Sequence, residues 1–212
     1  SGVPYAYLVG EKEFYDLTLK VSPATLIPRA DTELLVDTVL SKMAPQTQYS
    51  VIDMGTGSGA IALTIKKHRP LANVTAVDQS LDALLVAKDN AESLHLDVNF
   101  IQSDWFNNVD DCEFDFIVSN PPYIEHNDAH LIGDGVRYEP ITALVDDDDG
   151  YSDLFQLIDQ SFGLLKQEGW LMMEHGFEQG AQLRAQFEKK SYRNVETLKD
   201  LGGNDRVTIG QK

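Results

Sequence analysis

The chain has 212 residues, 34 of them acidic and 17 basic, for a formal charge of −17. That length holds one α/β domain with room for a small appendage, and that charge opposes nucleic-acid phosphates, which call for clustered Lys and Arg. A single cysteine, Cys112, excludes an internal disulfide framework. Its thiol is expected to be inert in a reducing compartment. No apolar run reaches bilayer length and the N-terminus lacks a signal pattern, so the expected location is cytoplasmic, with no membrane partner.

Residues 1–30 stand apart from the βα rhythm that follows and are expected to form an N-terminal β-hairpin and linker, ahead of a catalytic domain over 31–212. The partly alternating run Glu13 to Val21, with a turn at Gly10, predicts the strand pair. Thr25-Leu26-Ile27-Pro28-Arg29 reads as extended, and Asp31-Thr32-Glu33 as the cap and acidic first turn of a helix reaching about Met43. Arg29 and Glu33 are candidates to line a cleft.

Ser50 to Met54 is the next predicted strand, followed by the turn Gly55-Thr56-Gly57-Ser58-Gly59 and a helix from Ala60 to His68. Strand, glycine-rich turn and helix is the arrangement that lets a nucleotide cofactor approach backbone closely. A strand at Asn73–Val77 ends in Asp78, an acidic residue about 20 positions past the glycines and placed to accept from ribose hydroxyls. Gly55, Gly57 and Ala60 also satisfy a dinucleotide pattern, so the turn alone does not choose between NAD and another cofactor. Gly59 and Asp53 lean away from NAD, because Asp53 offers a carboxylate to a cationic or amino-bearing ligand.

A helix over Leu81–Ser93 capped by Ser80, then a strand at Val98–Ile101, lead to Asp104-Trp105-Phe106. There a carboxylate and a ring suit the amino group and face of an adenine. The apolar run Phe114 to Ser119 predicts a buried parallel strand that stops in Asn120-Pro121-Pro122-Tyr123. The prolines remove two donors, leaving the Asn120 side-chain oxygen and the Asn120 and Pro121 carbonyls beside the Tyr123 ring. Such a site fits a planar –NH2 group, with two acceptors for its hydrogens and a wall for its face. A long polar loop, Glu125 to Gly150, has the length of a functional lid. Its run Asp146 to Asp149 reads as a solvated helix entry. Helices over Tyr151–Leu165 and Gln179–Lys190, and strands at Trp170–Glu174, Val195–Leu198 and Arg206–Ile209, complete the expectation. The five histidines have no ligand spacing, and no metal is expected.

Asp53 to Gly59, Asp78, Asp104-Trp105-Phe106 and Asn120-Pro121-Pro122-Tyr123 together resemble the HemK/PrmC family. These are S-adenosylmethionine-dependent protein-(glutamine-N5) methyltransferases of peptide chain release factors. The likeness runs from Pro4-Tyr5 through Asn204-Asp205-Arg206-Val207 and is specific in combination. It implies a class I methyltransferase, an α/β fold with a Rossmann-like, seven-stranded, mostly parallel sheet and an antiparallel C-terminal hairpin. With the residue reading it gives a cofactor set of Asp53, Gly55, Thr56, Gly57, Ser58, Gly59, Asp78, Asp104, Trp105 and Asn120. S-adenosylhomocysteine would be the product. Asn120, Pro121 and Tyr123 are the expected catalytic residues, and Asn120, Pro121, Pro122 and Tyr123 the expected substrate site. The resemblance implies a release factor as protein substrate; the acting species is expected to be a monomer. Relatives usually carry an N-terminal helical domain, which makes this chain an expected fragment of a longer protein. Relatives often read Pro-Arg-Pro-Asp-Thr-Glu where this chain has Ala30 for the second proline. A sister branch methylates a ribosomal protein, and adenine-N6 DNA methyltransferases share the Asn-Pro-Pro-Tyr logic; both are alternatives. Asp104-Trp105-Phe106 and Glu174-His175-Gly176 resemble the release-factor branch more.

Overall fold

A computed structural model describes residues 2–110, 112–128, 131 and 135–212. The chain opens with a short helix, α1 (Tyr5–Val9), ended by Gly10 in the left-handed region, and an antiparallel hairpin, β1 (Glu11–Phe14) and β2 (Leu17–Lys20). The expected hairpin is present, but the chain reverses at Tyr15-Asp16 inside the alternating run. Gly10 instead closes the unexpected helix. Phe14, Leu17 and Leu19 turn inward from the hairpin and join the main core.

After α2 (Thr32–Lys42), strands and helices alternate: β3 (Ser50–Met54), α3 (Ala60–His68), β4 (Asn73–Asp78), α4 (Leu81–Leu94), β5 (Asn99–Gln102) and β6 (Phe114–Ser119). Then come β7 (Ile124–Glu125), β8 (Val145–Asp146), α5 (Ser152–Leu164), β9 (Leu165–Glu174), α6 (Gly180–Lys189), β10 (Arg193–Lys199) and β11 (Asp205–Gln211). The main sheet has seven strands in the order β10-β11-β9-β6-β3-β4-β5. From β9 to β5 every pairing is parallel, while β11 is antiparallel to both β9 and β10. Parallel strands covered on both faces must be apolar on both. Accordingly Val51, Val74, Ala76, Phe116 and Val118 pack toward α2 and α3, and Ile52, Met54, Val77, Ile117 and Met173 toward α5 and α6.

The strand order reverses beside β3. From β3 the chain steps outward to β4 and β5, then returns to lay β6 against the other edge of β3. A crevice opens at such a reversal, outside the carboxyl ends of the strands. Register aligns those ends, since Met54 lies opposite both Val77 and Ser119. Gly55, Asp78 and Asn120 therefore emerge side by side. The Ser119 hydroxyl donates to the Met54 carbonyl at 2.7 Å and ties β6 to β3 below the opening.

Most of the predicted polar loop is described, though residues 129, 130 and 132–134 of it lie outside the described residues. Its ends are joined by the β7–β8 pair, and single 3-10 turns cover Val136–Tyr138, Ile141–Ala143 and Asp148–Gly150. The acidic run is not wholly solvated. Asp146 is buried, and its Oδ2 accepts from the Asp153 amide at 2.9 Å, capping the start of α5. Burial pushes the Asp146 carboxyl up to about 6.

Candidate active site

Two adjoining hollows lie over the strand ends. The larger, about 330 Å3, is floored by Gly55 to Ser58 and walled by Asp78, Asp104 and Trp105. Ala24 to Leu26 of the N-terminal linker and Pro140, Thr142 and Ala143 of the polar loop close its other sides. The smaller, about 120 Å3, is lined by Pro121, Tyr123, Ile124, Val136 and Glu174, among others. Leu26, Arg29, Asn120 and Ala143 line both, so Asn120 stands at the junction.

The turn after β3 is held by two carboxylates. Asp78 Oδ2 accepts from the Gly57 amide at 2.9 Å, and its Oδ1 accepts from the Ser80 amide at 2.9 Å. Burial raises the Asp78 carboxyl above its ordinary value, against the pull of those amides. Asp53 is fully buried and is not on the wall of either hollow. That corrects the expectation that its carboxylate faces a ligand. Alternation along β3 turns Asp53 away from the opening, where its Oδ2 accepts from the Thr56 hydroxyl at 2.6 Å and the Ala62 amide at 3.3 Å. Its Oδ1 has no partner, and burial pushes the group up to about 7. Gly59 is also off the wall. It has φ +86°, and an added Cβ would lie 2.9 Å from the Leu63 side chain. Its part is to let the chain turn into α3. Gly55, Thr56, Gly57 and Ser58 are on the wall.

Asp104 and Trp105 both reach the larger hollow. Asp104 accepts from the Asn107 amide side chain at 3.2 Å. The Trp105 indole N–H donates to Asp153 Oδ1 at 2.9 Å, so the first turn of α5 sets the plane of the ring. Nothing in the sequence pattern links residues 105 and 153, and Asp153 was missed for that reason. Gln79, Ser80 and Asp82, just past β4, also line the hollow and were not anticipated.

At the other chamber, Asn120 Nδ2 donates to Thr32 Oγ1 at 3.2 Å, and the Tyr123 hydroxyl donates to Glu174 Oε1 at 3.2 Å. Glu174 is buried, its Oε2 has no partner, and burial pushes its carboxyl up to about 7. Desolvation likewise raises the Tyr123 phenol well above its ordinary value. Arg29 lines both chambers, paired with the buried Glu139 of the polar loop, which also accepts from the Ile27 amide at 2.9 Å. Linker and loop are thereby fastened together over the opening. Glu33 does not line either chamber; it accepts from the Tyr15 amide at 3.0 Å and braces the hairpin. Nor does Asp31 cap α2 through its side chain, which instead faces Arg206 at 3.6 Å. Among the described residues there is no group of His, Cys, Asp and Glu suited to a metal ion, and no helix long and apolar enough to cross a membrane.

Comparison with known proteins agrees with this geometry. Residues 30–134 match the family described as Methyltransferase small domain. The chain is 53% identical to a release factor glutamine methyltransferase of Aliivibrio fischeri, over all of this chain and 75% of that one. With the enzyme of the same name from Escherichia coli it shares 46% identity, over all of this chain and 76% of the relative. Among solved structures, the release factor-specific protein-(glutamine-N5) methyltransferase of Alicyclobacillus acidocaldarius superposes with a TM-score of 0.56 at 28% identity. That match covers 92% of this chain and 99% of the other. The chain is a methyltransferase, and it belongs to the release factor glutamine methyltransferase family.

Proposed function

We propose that this chain transfers the methyl group of S-adenosylmethionine to the side-chain amide nitrogen, N5, of the glutamine in a Gly-Gly-Gln segment of a peptide chain release factor. The observation that carries the reading is the junction: two chambers of different chemistry meet at Asn120. The larger suits the cofactor. Its wall brings together an acceptor-rich carboxylate at Asp78, a ring at Trp105, close-approach backbone at Gly55 and Gly57, and the further carboxylates Asp82 and Asp104. An acidic wall favours a ligand bearing a sulfonium and an ammonium. Asp78 would hold the ribose hydroxyls, Trp105 and Asp104 the adenine, and Thr56 and Ser58 the turn against the ligand. Asp53 would act from beneath, by keeping Thr56 in place.

Bound S-adenosylmethionine supplies an electrophilic methyl group. The task of the protein is to make an amide nitrogen attack it, although the lone pair of that nitrogen is delocalised into its carbonyl. Asn120 Oδ1 and the Pro121 carbonyl offer two acceptors to the two amide hydrogens. Hydrogen bonds in those directions aim the nitrogen and favour a more tetrahedral geometry with a localised lone pair. Pro121 and Pro122 contribute no amide N–H of their own to compete for those acceptors. Tyr123 walls the face of the target group, and its hydroxyl is anchored on Glu174. The proton leaves after transfer, when the nitrogen is cationic and acidic.

The smaller chamber is narrow, which favours a glutamine displayed on an extended loop with small neighbours. An Asn there would be one methylene short of in-line reach, and a Glu would set a carboxylate against the acceptors of Asn120 and Pro121. The test is mass spectrometry of a release factor and its Gln→Asn and Gln→Glu variants after incubation with enzyme and S-adenosylmethionine. One methyl group is expected on the parent glutamine and none on either variant. Methylation of a variant at that site, or of DNA adenine or a ribosomal protein in preference to the release factor, would sink the assignment.

A further inference from the structure

We propose that Asp153 is a positioning residue for the cofactor: it holds the Trp105 ring in the one orientation that walls the larger chamber. The inference rests on the reading of Trp105 given above. A ring meets an adenine well only when the two planes are suitably aligned. An indole joined to the chain by single bonds can also turn over, which presents a different edge to the chamber. Trp105 lies just past β5 in a connecting segment, so no regular element limits it. Something must choose its orientation before the cofactor arrives.

Three features restrain the ring. The Trp105 backbone has φ +43°, in the left-handed region that a bulky residue seldom occupies. At one end, the benzo edge lies beside Gly55, where an added Cβ would come within 3.8 Å of Cζ3 and 3.9 Å of Cη2. At the other end, Nε1 donates to Asp153 Oδ1 at 2.9 Å. That last contact is the one that selects. An indole N–H only donates and a carboxylate only accepts, so neither partner can exchange roles. Turning the ring over would set a C–H against Asp153 and leave the N–H without its acceptor. Asp153 is itself fixed in the first turn of α5, where its amide donates to Oδ2 of the buried Asp146 at 2.9 Å. The ring packs against the apolar cluster that includes Leu154 and Leu157 of the same helix. Asp153 lines neither chamber, so it acts through Trp105 and not by touching the cofactor. This gives α5, which contributes no residue to either wall, a part in holding the cofactor.

The experiment measures S-adenosylmethionine affinity by calorimetry for the parent, Asp153→Ala, Asp153→Asn, Trp105→Phe, Trp105→Ala and the double variant of Trp105→Phe with Asp153→Ala. Asp153→Ala removes a charge-assisted hydrogen bond, so Kd should rise about tenfold. Asp153→Asn keeps an acceptor and should stay within about threefold of the parent. Trp105→Phe keeps a ring without an N–H, so adding Asp153→Ala to it should change Kd by less than about twofold. Of the two tryptophans, Trp170→Phe leaves Trp105 as the sole fluorescent reporter. In that background, without cofactor, Asp153→Ala should move the emission to longer wavelength and make it easier to quench with acrylamide. A parental Kd or parental emission in Asp153→Ala overturns the proposal, as does an Asp153→Asn variant as weak as Asp153→Ala. An equal loss with and without the indole N–H also overturns it, because Asp153 would then act only on the structure of α5. If Asp153→Ala does not fold, Asp153→Ser, too short to reach the indole, gives the same comparison. A parental Kd in Trp105→Ala would overturn the reading of Trp105 itself, and the proposal with it. Weak binding by Trp105→Ala with parental Asp153→Ala removes only the part assigned to Asp153.

Discussion

The Asp78 carboxylate faces two ways. It accepts the Gly57 and Ser80 amides, which fix the glycine-rich turn and the start of α4, while the same group remains on the wall of the larger chamber. Asp78→Ala should therefore weaken cofactor binding through the lost ribose acceptor and the loosened turn together. A charge-assisted hydrogen-bond set is worth about 1.5–3 kcal/mol, so a tenfold to hundredfold rise in Kd is expected by calorimetry. An unchanged Kd would remove the ribose role. Residue type and place in the chain were enough to single out Asp78 and Asn120. They were misleading for Asp53, whose carboxylate the strand alternation turns under the turn and away from the opening.

At the level of elements, the site depends on how the polar loop returns to the sheet. Gly150, at its end, has φ +82°, and a Cβ built there would lie 2.3 Å from the Tyr123 carbonyl oxygen. Gln179, the residue that precedes α6, ties the same place through Nε2, donating to the Gly150 carbonyl at 2.9 Å and the Tyr123 carbonyl at 3.3 Å. Gly150→Ala thus meets backbone, which cannot rotate out of the way as a flexible side chain can. The variant should lose about 1–3 kcal/mol of stability in urea titrations. Methyl transfer should fall while cofactor affinity is kept, because the displaced residue is Tyr123 in the smaller chamber. A drop in cofactor affinity as large as the drop in rate would contradict this division between the chambers. The polarity and length of the loop marked it as a lid; that it closes on Tyr123 was not visible in its composition.

For the molecule as a whole, buried carboxyls, led by Asp53 and Glu174, govern how stability varies with pH. Burial pushes both Asp53 and Glu174 up to about 7, from ordinary values of 3.8 and 4.5. Between those limits the folded state holds protons that the unfolded state has released, so stability falls as pH rises through that window. Buried His175, shifted down by desolvation, works in the opposite sense below 6.5, while Asp78 and Asp146, also raised by burial, act with the two carboxyls. The charge of −17 adds self-repulsion in the same direction as the carboxyls. Urea midpoints should be higher at pH 5.5 than at pH 7.5. Each raised carboxyl contributes a slope of up to about 1.4 kcal/mol per pH unit. Asp53→Asn and Glu174→Gln should each flatten the profile. A flat or rising profile in the parent would show that these carboxyls do not carry raised values.

The order of strands and helices, the glycine-rich turn, Asp78, Trp105 and Asn120-Pro121-Pro122-Tyr123 were legible in the chain because each is a local pattern. Apolar strands buried on both faces, turn residues between them and an acidic strand end are written within a few residues of one another. What tertiary structure alone decided is distant in sequence and close in space. Asp153 turns the Trp105 ring across 48 positions, Glu139 reaches Arg29 across 110, and Thr32 meets Asn120 across 88. These contacts exist because the strand order reverses beside β3 and brings the linker, the polar loop and the ends of β4, β6 and β9 around one opening. Periodicity encodes which face of an element is buried, not which other element covers it. The sequence by itself therefore determined the sheet and the residues at its carboxyl edge; packing decided which of them face the ligand and which hold the others in place.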